Sequence, residues 1–259
     1  MKNIFTVIPA RINSKRLPRK VLEKINGKPM ITHVVEKCLE INDPSKVIVL
    51  SDSNDVLNLF KNSPIVTFLT SSKCNSGTDR ICSVIDKIIK ACASKPEDIG
   101  IINVQADQPF VDPNIIREIK NHLISFPEIE AFTPVYKLSQ DEIINPNVVK
   151  VIRKNDNNAI YFSRYPLPYM RDKNLSEWAV NHQYWGHIGI YGYRASLLLR
   201  WNNLNASKLE LAEKLEQLKL IESGINIKTI EVENNFDSID TLEDLDKLRK
   251  KFLRPNKFS

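Results

Sequence analysis

The sequence predicts an α/β fold with a mainly parallel sheet and helices on both of its faces. Three observations carry this prediction. Short β-branched runs alternate with longer helical patterns through the first half of the chain. The runs are continuously apolar, as strands covered on both faces must be. The segment after each run is polar, and in such sheets ligands gather beyond the carboxyl ends of the strands.

The elements follow in order. "NIFTVI" is the first strand, a helical pattern follows Gly27, and "KVIVLS" and "SPIVTFLT" are the next two strands. Thr78 to Ala93 reads as helix and "IGIINVQ" as the fourth strand. The character then changes: "NVVKVIRK", the turn-rich "NDNN" and "AIYFSR" form a predicted β-hairpin, and "HIGIYGY" a further strand. Ser207 to Ile221 reads as one helix, with Leu211, Leu215 and Leu218 at i, i+4 and i+7 as its core face. "NIKTIEV" is a last short strand, and an amphipathic helix runs from Thr241. No repeat, low-complexity tract or linker interrupts the pattern, so residues 1–259 are expected to form a single domain with a β-rich subregion at about 145–205.

Composition narrows the class. A chain of 259 residues that is 42% hydrophobic and 26% charged is long enough to bury a substantial core and is not that of a disordered protein. A net charge of +6 suits either nucleic acid or a phosphorylated small molecule held by clustered cations. Cys38, Cys74, Cys82 and Cys92 have neither CxxC spacing nor a histidine cluster, which argues against a zinc site or disulfide framework. The opening "MKNIFTVIPAR" is too short an apolar stretch for a secretory signal, and no run reaches membrane-span length, so a cytoplasmic protein without membrane contact is expected.

The chemistry concentrates after the strands. "IPARINSKRLPRK" places Arg11, Ser14, Arg16 and Lys20 on one loop, where guanidinium and ammonium groups can converge on phosphate oxygens. A solvated basic loop is the alternative; the position directly after the first strand favours a polyphosphate ligand. Neither GxGxxG nor GxxxxGK[ST] occurs, so cationic side chains must replace a glycine-rich cradle. Ser76, Gly77, Thr78 and Arg80 in "NSGTDR" could line a ligand pocket, cap a helix, or do both.

Asp107 in "NVQADQPF" stands where a carboxylate could hold magnesium on a polyphosphate. Asp240 is a second metal candidate, although "DTLEDL" equally reads as an N-capped helix start. His187 and Tyr191 share a strand face with Gly189 between them, which leaves room for a ligand or only a structural histidine. Glu216 and Gln217, adjacent on the predicted helix, should point about 100° apart, so at least one is expected to face away from any shared target unless it lies at a helix flank, and solvated, exposed side chains are the alternative.

Taken together, "IPARINSKRLPRK", "GKPMITHVVEK", "SGTDR", "NVQADQPF", "NPNVVKV", "YFSRYPLP", "HIGIYGY", "LEQL" and "SIDTLEDL" resemble, in order and spacing, the 3-deoxy-D-manno-octulosonate (Kdo) cytidylyltransferase family, from Ile8 to about Leu248. The resemblance implies a Rossmann-like nucleotide-diphospho-sugar transferase fold and a homodimer formed partly through the β-rich subregion. It implies Mg²⁺-dependent transfer from CTP to the anomeric 2-hydroxyl of Kdo, giving CMP-Kdo and pyrophosphate, in lipopolysaccharide or another envelope polysaccharide pathway.

Carried onto this sequence, the family pattern assigns Arg11, Ser14, Arg16 and Lys20 to the triphosphate, and Ser76, Gly77, Thr78 and Arg80 to the nucleotide pocket. It assigns Asp107 and Asp240 to the metal, and Gln105, Arg164, His187, Tyr191, Glu216 and Gln217 to the sugar acid. Arg11, Lys20 and Asp107 are the residues expected to be catalytic, stabilising charge at the reacting phosphate while the sugar oxygen attacks directly.

Three positions depart from the pattern: "QADQP" stands where the family usually has "QGDEP", with Ala106 for glycine and Gln108 for glutamate, and Cys74 where it tends to have histidine. They leave open a related 2-keto sugar acid, such as an 8-amino analogue of Kdo or a nonulosonate, as acceptor, or CTP binding without turnover. Nucleic-acid binding is disfavoured, because the cations form one short segment without interleaved aromatic residues.

Overall fold

The computed structural model describes residues 3–13, 17–233 and 242–253. Strand β1 (Asn3–Ala10) alternates its side chains between two cores. Ile4, Ile8 and Ala10 pack into one; Phe5 and Val7 enter the other. A 3-10 turn at Lys20–Leu22 and the short hairpin β2 (Lys24–Ile25) and β3 (Lys28–Pro29) lead into α1 (Met30–Leu39). Strand β4 (Val47–Ser51) is buried throughout; α2 (Asn54–Leu57) and β5 (Val66–Leu69) follow.

The predicted helix at 78–93 is two: α3 (Gly77–Cys82) and α4 (Ile85–Cys92), which diverge at Ser83 and Val84. Then come β6 (Ile99–Asn103), α5 (Pro113–Ser125) and β7 (Ala131–Lys137). Helix α1 and α5 cover the first core; α3 and α4 cover the second. Each fully buried aliphatic side chain stabilises these layers by roughly 1.5–3 kcal/mol.

After α6 (Gln140–Ile144), the predicted hairpin is present as β8 (Lys150–Arg153) paired antiparallel with β9 (Ala159–Ser163). Helix α7 (Trp178–Asn181) precedes β10 (Trp185–His187) and β11 (Tyr191–Arg194), two strands where the sequence suggested one. Helix α8 (Ala195–Arg200) lies on the second core. The predicted helix at 207–221 is also broken, into α9 (Lys208–Glu213) and α10 (Leu218–Glu222), because Lys214 turns into the left-handed region at φ 56°. Leu215 and Leu218 are buried as expected, whereas Leu211 is 63% exposed. Strand β12 (Ile227–Glu231) and α11 (Leu242–Leu253) complete the described chain.

One sheet runs β5-β4-β1-β6-β11-β7-β10-β8-β9, with β12 added on β7. The pairs β1/β4, β1/β6, β4/β5 and β7/β12 are parallel. Strand β11 pairs antiparallel with both β6 and β7. The carboxyl ends of β1, β4, β5 and β6 therefore share one edge, and Tyr191, opposite Asn103, starts β11 at that edge. Every polar segment singled out after these four strands emerges there. Among the described residues, no helix is long and apolar enough to cross a membrane.

Candidate active site

At this edge lies a cavity of about 1070 Å³. One end is basic and acidic together: Arg11 leaves β1 exposed to solvent, and Lys20 is 7% exposed. Lys20 Nζ stands 2.7 Å from Asp107 Oδ2, so the loop after β1 is tied to the loop after β6. Ser14, Arg16 and Asp240 lie outside the described residues.

The next wall is the start of α3. Ser76 Oγ caps the helix by accepting from Asp79 N. A side chain at Gly77 would stand 3.1 Å from Pro9 Cγ and 3.4 Å from Gln105 Oε1, so glycine allows the close approach of α3 to the β1 and β6 ends. Thr78 is fully buried behind the cavity wall and donates to Glu216 Oε1 at 2.8 Å. Arg80 touches the cavity, yet it is 2% exposed and its guanidinium is held by Thr70 Oγ1, the Ser71 carbonyl and Asp52 Oδ2. Asp52 also accepts from Ile12 N at 2.9 Å, so the pair anchors the basic loop at its start.

The opposite end is built by the mixed half of the sheet. Arg164, at the end of β9, donates Nε to the Glu213 carbonyl and Nη1 to the Pro146 carbonyl; Glu213 Oε2 accepts its backbone N–H. Lys150, 1% exposed, donates to the carbonyls of Asn145, Val148 and Arg164. Three acceptors satisfy its ammonium group, while burial and the neighbouring Arg164 charge push its pKa down to about 8. This lysine and Glu213 fix the Arg164 wall, and sequence reasoning passed over both.

His187 and Tyr191 stay together, with ring centroids 5.4 Å apart, even though the chain leaves the strand between them. His187 Nε2 lies 2.9 Å from Thr133 Oγ1, and burial pushes its pKa down to about 3, so the ring is neutral. Tyr191 OH donates to Gln217 Oε1 at 3.0 Å. Glu216 and Gln217 sit in the break after α9 rather than on one helix. They lie at a helix flank, the arrangement in which the two can share a target, and both reach the cavity. Burial raises the Glu216 pKa, with the Thr78 hydrogen bond opposing.

Among the described residues, Glu216 Oε2 and Gln217 Nε2 are buried without a hydrogen-bond partner, as is Oε1 of Gln108. Gln108 is 7% exposed and faces the space before Gly189. Buried polar atoms left unpaired cost about 1–3 kcal/mol each, which a polar ligand here would recover. Apart from Thr78, every described residue proposed from the sequence lines this cavity: Arg11, Lys20, Ser76, Gly77, Arg80 and Gln105 with Asp107, Arg164, His187, Tyr191, Glu216 and Gln217.

A family model described as cytidylyltransferase matches residues 5–230. The 3-deoxy-manno-octulosonate cytidylyltransferase of Haemophilus influenzae (strain PittEE) is 38% identical over 253 residues, covering 95% of this chain and 97% of that protein. The chain belongs to the CMP-Kdo synthetase family. The cytidylyltransferase of the same name from Elusimicrobium minutum (strain Pei191) is also 38% identical, covering 99% of this chain and all of that protein. A solved CMP:2-keto-3-deoxy-manno-octonic acid synthetase complexed with CTP superimposes with a TM-score of 0.85 at 34% identity, covering 97% of this chain. A putative glucose-1-phosphate thymidylyltransferase from Bacillus anthracis shares the fold, with a TM-score of 0.65 at 14% identity. This chain is thus a cytidylyltransferase with an α/β nucleotidyltransferase fold.

Proposed function

We propose that this cytidylyltransferase transfers CMP from CTP to the anomeric 2-hydroxyl of Kdo, releasing pyrophosphate, with Mg²⁺ as cofactor. The observation that carries the reading is the two-ended cavity. Arg11 and Lys20 stand at one end; Arg164, His187, Glu216 and Gln217 stand at the other, where polar atoms await a hydroxylated ligand. The names of the relatives, and the CTP held by the solved neighbour, support the same two substrates.

CTP carries about four negative charges, and attack at the α-phosphorus crowds more onto it. Arg11 and Lys20 neutralise part of this charge and orient the phosphates. Among the described residues no three His, Cys, Asp or Glu side chains gather to hold a metal ion. Asp107, one partly exposed carboxylate facing the phosphate end, fits an ion shared with substrate oxygens, since magnesium commonly takes one or two protein carboxylates. Asp107 would hold it, with Asp240 the second candidate. Bound there, Mg²⁺ would supply charge stabilisation to the phosphates.

The remaining residues orient the acceptor. Arg164 faces the sugar carboxylate, and Gln105, His187, Tyr191, Glu216 and Gln217 receive its hydroxyls. No side chain acts as nucleophile; positioning and electrostatic stabilisation carry the rate. The exposed Tyr165, Tyr169 and Val180, at 67%, 68% and 89%, support a homodimer through the segment after β9, testable by sedimentation velocity.

The deciding experiment measures pyrophosphate release with CTP, MgCl₂ and Kdo, against an 8-amino analogue and a nonulosonate. Release that needs all three components upholds the reading. Release only with another acid moves the acceptor, and CTP binding without release under every acid ends the catalytic claim.

A further inference from the structure

Thr133 lies on β7, behind the imidazole of His187 and fully buried. Its Oγ1 is 2.9 Å from the Ile190 carbonyl oxygen, 3.3 Å from that of Ile188 and 2.9 Å from His187 Nε2. A hydroxyl has one proton to give and two lone pairs. Carbonyl oxygens only accept, and a proton given to an unprotonated Nε2 would leave the hydroxyl's lone pairs facing both of them, so the Thr133 proton goes to this pair, with Ile190 the nearer. Toward Nε2 the same oxygen can then act only as acceptor, which puts a hydrogen on Nε2.

A neutral imidazole with hydrogen on Nε2 has its lone pair on Nδ1. His187 Nδ1 has no protein partner among the described residues, and the ring lines the cavity beside Gly189. Burial keeps the ring uncharged.

We propose that Thr133 is a positioning residue that fixes His187 as the Nε2–H tautomer, so that Nδ1 presents an acceptor to a hydroxyl of the sugar acid. The proposal deepens the reading given above and rests on the cavity receiving that substrate. His187 thereby has no cation and no free donor for the substrate carboxylate, and the carboxylate falls to Arg164. The loop between β10 and β11 serves this arrangement: by leaving the sheet at 188–190 it turns the Ile190 carbonyl onto Thr133.

The test combines a spectrum with kinetics. In ¹⁵N-histidine-labelled wild-type enzyme without substrates at pH 7, with His187→Asn assigning the signal, Nε2 of His187 should appear protonated and Nδ1 unprotonated. Thr133→Val should lose this preference and raise the sugar-acid KM about tenfold, the value of one neutral hydrogen bond, while the CTP KM stays within about twofold. Thr133→Ser should restore both.

A wild-type spectrum showing Nδ1–H or an imidazolium overturns the proposal without any variant needing to fold. So does a Thr133→Val enzyme with unchanged tautomer and sugar KM. If the wild-type enzyme turns over no sugar acid, the functional reading fails instead, and the substrate-free spectrum still decides what Thr133 does.

Discussion

Thr78 Oγ1 donates to Glu216 Oε1 at 2.8 Å, joining the first turn of α3 to the break between α9 and α10. This bond fastens the parallel half of the sheet, which supplies Arg11 and Lys20, to the segment that closes the opposite wall. The predictions below separate what each part contributes.

Asp107→Asn keeps the shape beside Lys20 but removes the charge. Its kcat should fall at least about 10²-fold, a loss typical of removing one electrostatic stabiliser, while CTP still binds. Pyrophosphate release and equilibrium CTP binding check the two halves; retained turnover would remove Asp107 from the metal and phosphate end.

Asp52→Ala leaves the Arg80 guanidinium buried without its carboxylate and frees Ile12 N. Breaking one side of a buried pair costs about 3–5 kcal/mol, so the urea midpoint should drop strongly. Asp52→Asn, which retains an acceptor for Ile12, should cost less.

Lys150 gives a pH dependence with a definite sign. Below pH 8 its ammonium serves three carbonyls; above it, a neutral amine has two hydrogens for three acceptors. The sugar-acid KM should therefore rise as pH passes 8, and Lys150→Met should show the high KM already at pH 7 without that limb. Stability runs the other way for this group. The unfolded lysine, near 10.5, holds its proton where the folded one does not, so between pH 8 and 10.5 this residue's contribution to stability grows with pH.

Lys214 holds a left-handed conformation that costs a non-glycine residue roughly 1–2 kcal/mol. Lys214→Gly should be neutral or stabilising by up to about 1 kcal/mol, and the β-branched Lys214→Val destabilising by about 1–2. Chemical unfolding of the three proteins checks the order.

Cys74 lines the cavity and is partly exposed, whereas Cys38 and Cys82 are buried. Burial also raises the Cys92 thiol pKa, which slows its reaction. Iodoacetamide should modify Cys74 first, and CTP at ten times its Kd should slow that modification about tenfold. Mass spectrometry of the alkylated peptide reads both.

The parallel half was legible in the sequence because each strand is a continuous apolar run and each following loop is polar. "NIFTVI" and "KVIVLS" became β1 and β4 with little adjustment at their ends. Strand β7, one of the strands the sequence did not announce, contains Pro134, which reads against a strand interior. It is tolerated at the level where residues 188–190 leave the sheet between β10 and β11. The helix break that lets Glu216 and Gln217 share the cavity was hidden for a local reason: periodicity does not reveal a single lysine in left-handed conformation. Thr133 and Glu213 carried no motif of their own, and Lys150 stood inside "NPNVVKV" without a role assigned to it; Thr133 and Glu213 act through contacts far along the chain, such as the 54 positions that separate Thr133 from His187.

The Thr78–Glu216 bond joins residues 138 positions apart, which bears on how the protein comes into being. During synthesis the cation-bearing edge of β1, β4, β5 and β6 can assemble before Glu216 has left the ribosome. Closing such a wide loop comes late, since its entropy must be met before the contact rewards it. In the proposed function, the nascent chain acquires its anion-collecting surface first and selectivity for its second substrate last.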